Sequence, residues 1–308
     1  PNGGQEERFD GLNLPSLGTS FEGATPANDF PTDIYTLEYD GYADFPQYPI
    51  NFLADLNALL GMVDIHGLYL ELTPTQVAPV ADGGDAILLP GSMDYPGTTD
   101  SLTNYYMIPE TPPLVTLLAG IPVIGKPLAD LLGPDLTALI NLGYGSDNLG
   151  YSLPANVPTP FGLFPDVSLS TVLTELAQGT QQGFSAFEAD LSDPSAMTST
   201  VADPSTAVVA AAPAALPTLT DINNAFVSAA ASLSTLLLQT ADIAYAGVGS
   251  LPGYDVTLFL DNLTNPLDAI GLPIAANTGL LTLTGGFEFL LVDQAITAII
   301  NDFTALIP

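Results

Sequence analysis

Between Asp33 and Asp40 the chain reads "DIYTLEYD", with Tyr35, Leu37 and Tyr39 alternating with Ile34, Thr36 and Glu38. A period of two in a run rich in β-branched and aromatic residues predicts a strand, and the Asp-Gly after it predicts a turn. Pro49 then opens "INFLADLNALLG", where Phe52, Leu53, Leu56, Leu59 and Leu60 recur at helical spacing and Gly61 stands where a helix would stop. Met62 to Ile65 reads as a short strand leading into His66. Strand, acidic turn, helix, short strand and histidine loop together form the closing unit of a parallel α/β sheet.

Glu71 to Thr103 is rich in Gly, Pro and Asp, with "DGGD" and "LPGSMDYPGTTD" as breakers, and reads as one long loop. "TNYYMIPE" predicts a further strand or hairpin arm. The run that follows predicts two short helices opened by Pro127 and Pro134 and bounded by Gly133 and Gly143, an apolar cap over the sheet. After Gly150 the pattern turns helical. Ser168 to Leu191 carries Leu169, Val172, Leu173, Leu176, Phe184 and Phe187 on one face, although Gly179 and Gly183 weaken it. Asp193 to Pro217 is a Ser/Thr/Ala/Pro linker with little capacity to form a core. Ile222, Phe226, Ala229, Leu233 and Leu237 mark one amphipathic helix, and Val292, Ile296, Ile299, Phe303 and Leu306 mark a terminal one. The expected division is an α/β region over residues 1–150 and a mainly helical region over 151–308, and no repeat of fixed period is present.

Composition narrows the chemistry. At 308 residues and 47% hydrophobic content the chain can bury one large core or two smaller ones. Its formal charge of -32 comes from 34 acidic residues against two basic ones, Arg8 and Lys126, so no basic patch exists to meet phosphate and nucleic acid is excluded as a partner. Charged residues are only 12% of the total, which leaves a surface of Ser, Thr, Asn and Gly compatible with neutral or apolar substrates and repellent to anionic headgroups. Without cysteine, disulfides, thiolate metal sites and cysteine nucleophiles fall away. The opening "PNGGQEERFDG" lacks the cationic start and apolar core of a secretory signal and reads like the middle of a longer protein. Ala229 to Leu251 is apolar but interrupted by Gln239, Asp242 and glycines, which argues against a membrane span.

The candidate chemistry lies in "EYDGYADFPQYP" and in "MVDIHGLY", which holds the chain's single histidine. A carboxylate on a turn after a strand, then a histidine one helix later, is the order in which α/β-hydrolases present acid and base. Asp44, followed by Phe45-Pro46, is the first candidate for the acid and Asp40, at the strand end, the second; an Asp in a Pro-containing turn is equally suited to accepting local backbone bonds. His66 alone can supply a general base near neutral pH. A Gly-x-Ser-x-Gly elbow is absent. "GTSFEG" around Ser20 has one residue too many, and Ser92 and Ser146 follow the histidine, whereas the hydrolase order is Ser, acid, His. The nucleophile is therefore expected before Pro1. Asp82, Asp85, Asp94 and Asp100 offer oxygen ligands without the alternate spacing of a calcium loop and read as a solvated loop, and no phosphate-cradling Gly loop is present, so neither cofactor nor metal is expected.

The segments "NGGQEERFDGLNLPSLGTSFEGATP", "YTLEYDGYADFPQYPINFLADLNALLG", "VDIHGLY", "TNYYMIPE", "GIPVIGKPLADLLGPDL" and "INLGYG" closely resemble the later part of the PE-PPE domain of mycobacterial PE and PPE proteins. "FGLFPDVSLSTVL" and "LPGYDVTLFLDNL" look like the helical tail that often follows it. The resemblance implies an incomplete α/β-hydrolase sheet followed by a helical region, with serine-esterase or lipase-like activity on neutral acyl esters or lipids, in the cell envelope or outside the cell. It places Asp44 and His66 on the acid and base positions and the serine elbow upstream. It also implies an N-terminal PE or PPE module, and the type VII secretion machinery as a partner wherever that module is present. A noncatalytic envelope interaction protein, docking through the helical half, is the alternative.

Overall fold

The computed structural model describes residues 3–121, 124–145, 153–192 and 218–306, so the expected linker Asp193 to Pro217 lies outside the described residues. "DIYTLEYD" forms strand β1, Thr32–Leu37, and "TNYYMI" forms strand β3, Thr103–Ile108, with the two-residue strand β2, Ile87–Leu88, between them in sequence. The spatial order is β1-β3-β2. β3 is central and buried along its whole length, with Tyr105 to Ile108 apolar or aromatic and the Asn104 amide paired with Asp33 and Asp94. It pairs parallel with β1 from Thr32↔Thr103 to Leu37↔Ile108 and antiparallel with β2 at Ile87↔Met107.

Thr32 N–H bonds Leu102 O and Glu38 N–H bonds Ile108 O, so the even-numbered residues of β1 face β3. By parity the backbone groups of Asp33 and Tyr35 point to the opposite edge, where no further strand is paired among the described residues. One face of the sheet packs Leu37, Tyr39, Tyr106 and Ile108 against Ala54, Ile140 and Tyr144. The other buries Tyr105, Met107 and Leu89. The chain crosses from β1 to β3 through helix α1, Phe52–Asp64.

Two expectations fail at α1. Gly61 does not stop the helix, and Met62 to Ile65 is not a strand: α1 runs through to Asp64, Ile65 N–H still bonds Gly61 O at 2.9 Å, and a 3-10 turn, His66–Glu71, follows directly. The glycine serves packing. A Cβ at Gly61 would stand 1.8 Å from Tyr39 O, and one at Gly41 would stand 2.3 Å from Ala58 O. The turn after β1 therefore lies flat on α1 only because both positions lack a side chain.

The expected long loop is ordered by short pieces, including a capped helix at Pro74–Val77 and β2 itself. Helices α2, Pro113–Ala119, and α3, Gly125–Asn141, replace the two helices expected from Pro127 and Pro134, and Pro134 lies inside α3. Proline there removes the donor that would bond the carbonyl of Asp130. That carbonyl, with that of Leu131, instead faces Gly183 of helix α4, Leu169–Ser192. Lys126 Nζ ties α3 to α4 through Asp190 at 2.8 Å and also binds Asp130.

Helices α5, Leu219–Gly249, α6, Leu251–Asp261, and α7, Pro266–Thr304, complete the chain. Thr218 and Asp221 form a capping box at the start of α5. Gln239 and Asp242 do not interrupt that helix, and Leu219–Asp261 and Pro266–Thr304 are both long and apolar enough to cross a membrane. Contacts divide the chain into two units. One comprises Pro1–Asn13, Ser20–Ser199 and Tyr254–Thr282, and the other Leu14–Thr19, Thr200–Gly253 and Leu283–Pro308. Within the first, Ala275 and Ala276 of α7 are buried, Gly279 meets the rings of Phe161 and Phe45, and Thr282 reaches Asp55 of α1.

Candidate active site

The site is built where β1 ends and α1 ends. Asp40, three residues beyond β1, is fully buried, and its Oδ2 lies 2.9 Å from Nδ1 of His66, the first residue of the 3-10 turn after α1. Asp40 Oδ1 accepts the Tyr42 N–H at 3.1 Å. The Tyr69 hydroxyl accepts from Leu37 N–H at 3.1 Å. Burial, with the Asp40 charge adding to it, pushes the Tyr42 and Tyr69 hydroxyls above the ordinary phenol range, so both stay protonated.

The His66 side chain is 51% exposed, with the Tyr42 ring at 4.6 Å on one side and the Tyr69 ring at 5.8 Å on another. An ionised carboxylate only accepts, so Nδ1 of the neutral ring carries the hydrogen and Nε2 is left as the acceptor. One nitrogen is committed to a buried carboxylate and the other is open. That is the arrangement of an oriented general base.

Asp44 does not take the position expected of it. Its carboxylate turns back and accepts the Tyr39 N–H at 2.9 Å, while its own N–H donates to Asp40 O at 2.6 Å. The imidazole's carboxylate is Asp40, because the turn folds over itself at Tyr39 and directs the Asp40 side chain, not that of Asp44, toward the end of α1. Burial pushes the Asp44 carboxyl up to about 6 against the opposing pull of the Tyr39 N–H and the Arg8 guanidinium. Arg8 is itself buried, lowered to about 10 by burial against the pull of Glu7 and Asp44, and so remains charged at neutral pH. It donates Nε to Phe45 O at 3.2 Å and Nη1 to both oxygens of Thr159.

Tyr42 and Tyr69 were not singled out by sequence; their only signal was an aromatic residue two positions after Asp40 and another three after His66. Of the serines weighed as nucleophiles, Ser92 is buried with its hydroxyl given to Leu89 O at 2.7 Å, Ser20 bonds Asn13, and Ser146 lies outside the described residues. Asp94 is held by Asn104, and among the described residues no group of three His, Asp or Glu is placed to hold a metal ion. A cavity of about 270 Å³ opens beside β1, lined in part by Ile34, Tyr35, Thr36, Tyr42 and Tyr105.

The PE-PPE domain family matches residues 1–145. Over its full length the chain is 40% identical to the uncharacterized PPE family protein PPE28 of Mycobacterium tuberculosis, of which it covers 49%. Over 54% of its length it is 52% identical to a protein named Esterase PE16 from the same organism, covering 28% of that protein. A PE family protein, PE3, is 45% identical over 59% of the chain and is covered to 36%. The chain thus spans about half or less of these relatives. No solved structure matches it.

Proposed function

We propose, from the premise that residues 1–145 are a PE-PPE domain, that this chain carries the acid and base of a serine ester hydrolase acting on neutral acyl esters. The observation that carries the reading is the 2.9 Å contact between buried Asp40 and His66 Nδ1, which leaves Nε2 open. In the reaction, a serine on a preceding Gly-x-Ser turn attacks the acyl carbonyl while His66 Nε2 takes its proton. Asp40 stabilises the imidazolium, which then protonates the departing alkoxide. Water, deprotonated by the same nitrogen, releases the acid from the acyl-enzyme. The edge of β1 that no strand among the described residues pairs is where a strand bearing that serine would fit. The 52% identity to a protein named as an esterase supports the chemical class. The mycobacterial relatives support the envelope or the cell exterior as its place, with type VII secretion as the route when a PE or PPE module precedes it.

The test uses the polypeptide extended upstream through its Gly-x-Ser turn, assayed with p-nitrophenyl acyl esters and a fluorophosphonate label. His66→Ala should lower kcat on the order of 10⁶-fold and Asp40→Asn on the order of 10⁴-fold. The 308-residue chain alone should neither label nor turn over ester. Full activity in Asp40→Asn would remove the Asp40–His66 pair from the chemistry. A second reading, a noncatalytic envelope interaction protein, is favoured by the large apolar side chains exposed along α5, among them Leu219, Leu237 and Val248. It is the one left standing if the extended polypeptide carries a Gly-x-Ser turn and still hydrolyses nothing.

A further inference from the structure

The turn that carries Asp40 contains the one described residue other than glycine at positive φ: Tyr39, at 64°. For a bulky side chain the left-handed region is sterically disfavoured, and it persists only where surrounding contacts over-determine it. Tyr39 is buried, its hydroxyl donates to Asn141 Oδ1 at 2.9 Å, and its carbonyl lies against Gly61. Asp40 O also accepts the Ala43 N–H at 2.9 Å, and one residue grips the turn at both ends. Asp44 accepts the Tyr39 N–H with its carboxylate and donates its own N–H to Asp40 O, so it holds the peptides on both sides of the Asp40 side chain.

That grip is backed from a second direction. The short helix Gln5–Arg8 sets Gln5 Nε2 on Gly41 O at 2.9 Å, Gln5 N–H on Tyr42 O at 3.1 Å, and the Arg8 charge beside Asp44. Two basic residues serve the whole chain, and one of them is buried at this turn. The geometry points to Asp44 as a positioning residue: acting as the acceptor for Tyr39 N–H beside the Arg8 guanidinium, it fixes the left-handed turn that aims Asp40 at Nδ1 of His66. It touches neither the imidazole nor the reacting atoms. Its relevance to turnover rests on the hydrolase reading above, whereas its effect on the imidazole does not.

The chain has a single histidine, so nitrogen-15 NMR of the protein reports one imidazole and its tautomer directly. Above the titration of the ring, the wild-type protein should hold the Nδ1–H form, set by Asp40, where a free imidazole side chain prefers Nε2–H. Asp40→Ala is the control for an unheld ring. Asp44→Ala should move the spectrum toward that control while circular dichroism stays native, and Asp44→Asn, which keeps an acceptor for Tyr39 N–H, should retain the Nδ1–H form. A folded Asp44→Ala protein with the wild-type tautomer overturns the inference. If Asp44→Ala does not fold, the Asn variant decides, and its reversion to Nε2–H overturns it equally. In the extended polypeptide Asp44→Ala should lower kcat at least tenfold with KM little changed. Absence of ester hydrolysis in the parent, with the tautomer contrast intact, removes the hydrolase reading and leaves the positioning role in place.

Discussion

Asp55 sits on the inner face of α1 with no exposed surface, its Oδ1 unpartnered and its Oδ2 3.1 Å from Thr282 Oγ1. Burial pushes its carboxyl up to about 8, so it is protonated at neutral pH. The Thr282 hydroxyl donates toward Asp55 Oδ2 and also lies 3.0 Å from Thr278 O. The folded value lies above the unfolded one of 3.8, so the folded state holds a proton that the unfolded chain has lost. Stability from this group is complete below about pH 4 and is lost as pH rises to about 8, at up to about 1.4 kcal/mol per pH unit. Denaturant midpoints at pH 5 and pH 7.5 should therefore differ in the wild-type protein, and the difference should shrink in Asp55→Asn. At this scale the sequence told which residue types were available and not which one reaches the ring. His66 was legible because no other imidazole exists, whereas Asp40 and Asp44 are four residues apart, and the choice between them depends on the φ of Tyr39, which depends on Gly61, 22 positions further on.

Helices α3 and α4 cross at the two glycines that weaken α4 as an isolated helix. A Cβ at Gly183 would stand 2.1 Å from Leu131 O, and one at Gly179 would stand 2.3 Å from Asp135 Oδ1. Gly247, inside α5, meets nothing within 4 Å. The same substitution should then have opposite signs. Gly183→Ala gains helix propensity but forces backbone apart and should destabilise by about 1–3 kcal/mol. Gly247→Ala should stabilise by about 0.5–1 kcal/mol. Thermal midpoints of the two variants measure both. The same contrast explains which elements the pattern revealed. The amphipathic stripes of α1, α4 and α5 and the alternation of β1 were plain, because one face of each is set by local spacing alone. Gly61 as a stop, and Pro134 as a start, were misread, because each answers to a neighbouring element: the Tyr39 carbonyl in the first case and the α4 backbone in the second.

Across the whole molecule, 34 carboxylates face two cations, and both cations are engaged internally: Arg8 beneath the acid turn and Lys126 between Asp130 and Asp190. Self-repulsion of the remaining charge opposes the folded state and is screened by salt. The thermal midpoint should accordingly rise from about 20 to about 200 mM NaCl, where screening shortens from beyond to below ~10 Å. A fall would mean that the Lys126 pairs outweigh the repulsion. The same charge bears on the uncovered margin of β1. Asp33 and Tyr35 present backbone donors and acceptors in a row, a template onto which any extended peptide can add, including β1 of another copy. The Asp33 carboxylate itself is held by Asn104 of β3, so what keeps two such margins apart is the net charge of the two chains. Concentrated salt, which steadies the fold by screening, should by the same screening lower the barrier to two copies pairing along β1, and light scattering against NaCl measures it.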